Sequence, residues 1–171
     1  MDKGGKMKQL YIDFDGVILD TMSKSYEELE KMGIDIKDQE KVMEYFRNAD
    51  WKKLINETKE INDSINEIKK ICASKKFNVY ILTHINSTNE MVEKIKYLHE
   101  KLPLVTIVSV PKQIPKTKVV NASASILIDD YSGNIKEWQK NLGIGIKFVK
   151  EKENGDYPEI THLSEVIDMF N

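Results

Sequence analysis

The 171-residue chain has a single cysteine, Cys72, so no internal disulfide holds its fold. That usage fits a reducing compartment, and a cytoplasmic setting is the expectation. Excess charge of one sign is also lacking: 26 Lys and Arg stand against 28 Asp and Glu, a formal net charge of −2. No general attraction to a nucleic-acid polymer or a membrane surface follows from that balance. No apolar run is long enough to span a bilayer. The stretch Met1–Met7 has no signal-like apolar segment, and residues 1–6 read as a leader ahead of a start at Met7. Repeats and low-complexity tracts are missing too. What remains is 40% hydrophobic and 32% charged, as expected of a soluble domain with its own core. Nothing in this composition indicates an oligomeric state.

Five short, continuously apolar runs read as strands covered on both faces: Gln9–Phe14, Asn78–Thr83, Leu104–Val110, Ser125–Asp129 and Ile144–Val149. Helical stretches alternate with the later runs. Asn86–Lys101 carries Met91, Ile95 and Leu98 near helical spacing, and Lys116–Ser123 follows Pro115, which suits a first turn. Gly133–Leu142 ends at Gly143, and Leu163–Phe170 closes the chain. This alternation argues for βαβ units and a parallel sheet.

Roughly sixty residues separate the first two runs, more than one crossover helix needs. They carry helical signals over Ser23–Met32, Asp38–Asn48 and Trp51–Ser74, the last with room to break in two. The expected organisation is a core domain of residues 8–20 plus 75–171 and a small helical cap of residues 21–74. Tyr45, Phe46, Trp51 and Ile55 are either the cap's own small core or its ligand-facing side.

The segment Tyr11–Thr21 sets three carboxylates, Asp13, Asp15 and Asp20, in and beside an apolar strand. Burying unpaired charge is costly. In parallel α/β sheets ligands bind beyond the carboxyl ends of the strands, where strand order reverses. Asp13 and Asp15, Thr83, and Asp129 with Asp130 all fall at such ends. If the first strand lies between the second and fourth, these groups converge, and the acids suit Mg²⁺, a hard cation that takes oxygen ligands. Gly16 supplies a sharp turn after the acids. One acid can then attack phosphorus while the other protonates the leaving oxygen.

The pattern resembles the haloacid dehalogenase-like (HAD) phosphohydrolase superfamily. Its motifs match Asp13-Phe-Asp15-Gly16-Val17 continuing to Asp20-Thr21, the strand Val79–Thr83, and Ile126–Asp130. Its motif lysine is Lys116, with Lys118 and Lys112 as alternatives. The stretch Val119–Asp130 and the compact cap resemble the 5′(3′)-deoxyribonucleotidase group. The resemblance implies a three-layer α/β/α Rossmann-like core, a five-stranded parallel sheet of order 3-2-1-4-5 and a helical cap. It implies Mg²⁺-dependent hydrolysis of a small phosphomonoester, nucleoside monophosphates first, with sugar phosphates or a catalytically silent binding module as alternatives. The implied roles are Asp13 as nucleophile and Asp15 as general acid and base. Asp13, the backbone carbonyl of Asp15, and Asp129 or Asp130 are the implied metal ligands. Thr83, Lys116 and, at the next position, His84 are the implied phosphate contacts. Tyr45, Phe46 or Trp51 is expected on the leaving group. Cys72 is expected as a small buried side chain, Trp138 under the sheet, His99 and His162 at the surface, and Lys147–Asp156 as a solvated loop.

Overall fold

A computed structural model describes residues 7–170; the expected leader over residues 1–6 lies outside the described residues. The central strand β1 (Lys8–Ile12) pairs on one side with β2 (Phe77–Ile85) and on the other with β4 (Ile126–Asp129). Beyond β2 lies β3 (Thr106–Pro111), and beyond β4 lies β5 (Ile144–Phe148). The two-residue β6 (Glu159–Ile160) adds to β5, so the sheet has six parallel strands in the order β3-β2-β1-β4-β5-β6. The expected order holds for the first five. The sixth falls after the charged stretch read as a loop, and two residues are too short for a periodicity signal.

Alternate side chains go to opposite faces of each strand. Leu10, Ile12, Ile81, Ile126 and Ile128 face one apolar cluster, whereas Tyr11, Leu82 and Leu127 face another. The first cluster is covered by α4 (Ser64–Ser74), α5 (Thr88–Lys101) and the short α7 (Val166–Met169). The second is covered by α6 (Ser132–Lys140), whose Ile135 and Trp138 are fully buried. Trp138 packs edge-on to Tyr11, under the sheet as expected. The result is the three-layer arrangement.

Three helices precede α4: α1 (Thr21–Lys31), α2 (Gln39–Asn48) and α3 (Trp51–Glu57). Asp38 and Asp50 accept the backbone N–H of Lys41 and Lys53, which starts α2 and α3 at those positions. The expected helix over Trp51–Ser74 breaks between Glu57 and Ser64, where Asn62 and Asp63 take positive φ. The broken segment returns beside the outgoing chain. The Asp20 N–H donates to the Lys59 carbonyl and the Ile61 N–H to the Ile18 carbonyl, at 3.1 and 3.0 Å. The range 21–74 assigned to the cap thus includes α4, whose Ile65, Ile68 and Ile71 pack in the sheet's own cluster. Trp51, Leu54 and Ile55 join that cluster as well, so they do not form a separate small core. Cys72 is exposed rather than buried, because it lies one helical step past Ile71 and off the packed face of α4.

Shorter differences have local causes. The helix expected over Lys116–Ser123 is a single 3₁₀ turn at Lys116–Lys118. Leu104, placed in the third strand by its apolar character, is 97% exposed in the turn before β3. His99 and His162 are exposed. Among the described residues, no helix is long and apolar enough to cross a membrane.

Candidate active site

Register places the acids. Ile12 stands opposite both Ile81 and Ile128, so the chain leaves β1 and β4 with Asp13 and Asp129 side by side. The Asp13 N–H still donates to the Ile128 carbonyl at 3.0 Å, which holds the two strand ends together. Asp13, Asp129 and Asp130 each bring a carboxylate oxygen within 4.8 Å of the others. Asp13 and Asp129 are buried.

Lys116 is 1% exposed and donates to Asp13 Oδ1 at 2.8 Å and to Asp129 Oδ2 at 2.7 Å. Lys112 and Lys118 are exposed, so of the three motif candidates only Lys116 reaches the acids. Burial alone would push the Lys116 ammonium down, but the charges of Asp129 and Asp13 outweigh it and raise it. Asp129 is further oriented by the Tyr131 N–H on Oδ1 and by Asn134 Nδ2 on Oδ2, both at 2.9 Å. Asn134 was not expected here; it extends the strand-end motif by one turn of α6.

Three carboxylates against one ammonium leave a formal charge of −2, which a divalent cation would match. Burial, then the charge of Asp129, pushes Asp13 up to about 7 despite Lys116. Burial, then the charge of Asp13, pushes Asp130 up to about 8. Gly16 has φ +75, and a Cβ there would collide with the Asp130 carboxylate. The turn is therefore shaped around that side chain. Oxygen donors of this kind, crowded and short of positive charge, fit Mg²⁺.

Asp15 stands outside this acid cluster. Its Oδ1 accepts from the Thr21 hydroxyl at 2.6 Å and its Oδ2 from Lys94 Nζ at 2.5 Å. Lys94 also donates to the Thr83 hydroxyl and the His84 carbonyl, both at 3.0 Å. Thr83 is fully buried; β2, expected to end there, runs on to Ile85. The His84 ring meets the Ile114 carbonyl, 3.0 Å from Nε2, and burial pushes its imidazole down.

The expected leaving-group aromatics pack together, and Tyr45 also borders a pocket with Met32, Ile34 and Lys41, away from the acids. Tyr45 is 8% exposed and donates to Glu28 at 2.7 Å, while Trp51 is 1% exposed and donates through Nε1 to the Phe46 carbonyl. Half-buried Phe46 lies between them, 5.2 Å from the Tyr45 ring and 6.5 Å from the Trp51 ring. An open cleft of about 600 Å³ instead begins at Gly16 and Asp130, and runs past Asp20 and Met22 to Lys147 and Lys150.

Lys94 was missed. The expected stripe of α5 was Met91, Ile95 and Leu98, but the buried set is Glu90, Lys94 and Leu98, and Ile95 is 38% exposed. The available signal was the Glu90/Lys94 pair four residues apart in line with Leu98, which by itself reads as a solvated ion pair.

No protein-family model and no curated relative matches the sequence. Solved structures do match the fold. A hydrolase from Pseudomonas syringae superimposes with a TM-score of 0.64 at 12% identity, over 94% of this chain and 96% of that one. A HAD-superfamily hydrolase of subfamily IA from Geobacter sulfurreducens gives 0.61 at 15% identity, over 98% of each chain. A magnesium-bound HAD hydrolase from Bacillus subtilis gives 0.64 at 15% identity, over 97% of this chain and all of that one. The fold is that of HAD-superfamily hydrolases.

Proposed function

We propose that this protein is a divalent-cation-dependent phosphomonoesterase working through an aspartyl-phosphate on Asp13. One observation carries the reading: Asp13, Asp129 and Asp130 converge within 4.8 Å at the carboxyl end of the sheet, with Lys116 bridging Asp13 and Asp129. Such a group suits a bound divalent cation better than any structural role, because its negative charge is only partly neutralised. A cation bound by these carboxylates, with the Asp15 backbone carbonyl, supplies charge neutralisation for both the nucleophile and the phosphate.

The chain's own groups do the rest. Asp13 attacks phosphorus and the ester oxygen departs, splitting one displacement into two. Asp15 gives the leaving oxygen its proton, then takes one from the water that attacks the phospho-enzyme; such transfer is typically worth ~10²–10⁴-fold. Lys116 offsets charge on Asp13 and on the equatorial oxygens. The Thr83 hydroxyl, and the backbone beside His84, border the phosphate. The remainder of the substrate occupies the cleft between Gly16 and Lys150, whose size lies within the ~300–1,000 Å³ range of small-ligand sites. Within the class we put a (deoxy)nucleoside monophosphate first. The similarity of Val119–Asp130 to 5′(3′)-deoxyribonucleotidases supports that choice.

The test is phosphate release from a panel of nucleotides, sugar phosphates and aryl phosphates. Wild-type protein with Mg²⁺ should turn over at least one of them; EDTA or Asp13→Asn should reduce the rate by at least ~10³-fold. Undiminished turnover by a folded Asp13→Asn protein sinks the nucleophile assignment.

A further inference from the structure

Lys94 is a fully buried lysine that the chemistry above leaves without a role. Its Nζ contacts four oxygens: Asp15 Oδ2 at 2.5 Å, Glu90 Oε1 at 2.6 Å, and the Thr83 hydroxyl and His84 carbonyl at 3.0 Å. It also lies 4.9 Å from the Trp51 ring and 5.1 Å from the Phe14 ring. Glu90 in turn accepts from the Asn86 N–H at 2.6 Å, so the loop after β2 is tied in. Taking an ammonium and its partner out of water costs more than filling the same space with an apolar side chain. Packing alone therefore gives no reason for a charge here.

The geometry at Asp15 gives one. Its two carboxylate oxygens are each held by a different donor, Thr21 from α1 and Lys94 from α5. Two donors on two oxygens fix the rotation of the carboxylate as well as its place. The second donor is itself anchored to the end of β2 and covered by α3 through Trp51.

We propose that Lys94 is a positioning residue for Asp15, fixing the carboxylate that serves the leaving oxygen and tying it to the phosphate-side strand end and to α3. This rests on the reading of Asp15 as the proton-transfer group. The class of substrate that feels it follows from leaving-group chemistry. An alkoxide leaving group needs its proton in the transition state, whereas 2,4-dinitrophenolate departs without one.

The experiment compares kcat/KM for an alkyl phosphate accepted in the panel with kcat/KM for 2,4-dinitrophenyl phosphate, in Lys94→Met. That variant strands Glu90, so the double variant Glu90→Gln/Lys94→Met is run beside it; there only Asp15, which is partly open to solvent, loses its cation. Thermal melts identify which variants are folded. The expected result is a loss on the alkyl ester roughly tenfold or more greater than on the aryl ester, a part of the ~10²–10⁴-fold that proton transfer supplies. Asp15→Asn should show the same leaving-group dependence. Equal losses on both esters, or no loss, in a folded Lys94 variant overturn the proposal when Asp15→Asn does show the dependence. If Asp15→Asn lacks it, the assignment of Asp15 fails and the role of Lys94 falls with it.

Discussion

Replacing Gly16 by alanine would test the turn after the two acids in two ways. The φ of +75 would strain any L side chain, and the new methyl would meet the Asp130 carboxylate. The expected cost is ~1–3 kcal/mol in stability, read by denaturant unfolding, and ~10²-fold in activity through displacement of the acid. At the same scale, Asp13 is pushed up to about 7 and Asp130 to about 8. Acids that bind their protons more tightly folded than unfolded favour the fold at low pH. That contribution is complete below about pH 4 and is lost as pH rises through both folded values. A cation that joins the carboxylates removes the penalty. The melting-temperature gain from Mg²⁺ should therefore be larger near pH 8 than near pH 5.5, by roughly 2–4 °C or more; equal gains would contradict the charge balance drawn here. The acids themselves were legible because their residue types stand at two strand ends, β1 and β4. Lys94 was not, since a charged residue on a helix reads as solvated until the fold shows which face is buried.

At the scale of elements, α3 is the instructive case. From sequence Trp51 reads either as packing or as a base-stacking platform, and its burial favours packing: 1% exposed, sharing a cluster with Ile12 and Phe14. Trp51→Ala should cost ~3–5 kcal/mol by thermal or denaturant unfolding. It should lower turnover of nucleotides and aryl phosphates together; a loss confined to nucleotides would restore the stacking role. The helical character of residues 21–74 was legible from periodicity. That α3 and α4 pack into the sheet's own cluster was illegible, because all four helices carry apolar residues and only the paired segments around Asp20 and Lys59 set where the insertion ends. The 3₁₀ turn at Lys116 was legible only as "a lysine after a proline". Its function depends on the long-range contact to Asp13, 103 residues away in sequence.

At the scale of the whole molecule, the strand order brings the chemistry together. Flanking β1 with β2 and β4 sets Thr83 and Asp129 on either side of Asp13, and α5 and the 3₁₀ turn each send one buried lysine to that edge. A displaced order would scatter the same residues. If phosphate passes through Asp13, two displacements occur at phosphorus. The most direct measurement is the stereochemical course of hydrolysis of a substrate ester made chiral at phosphorus with sulfur and oxygen isotopes. Two in-line displacements predict net retention of configuration. Net inversion would mean a single attack by water and would contradict the account.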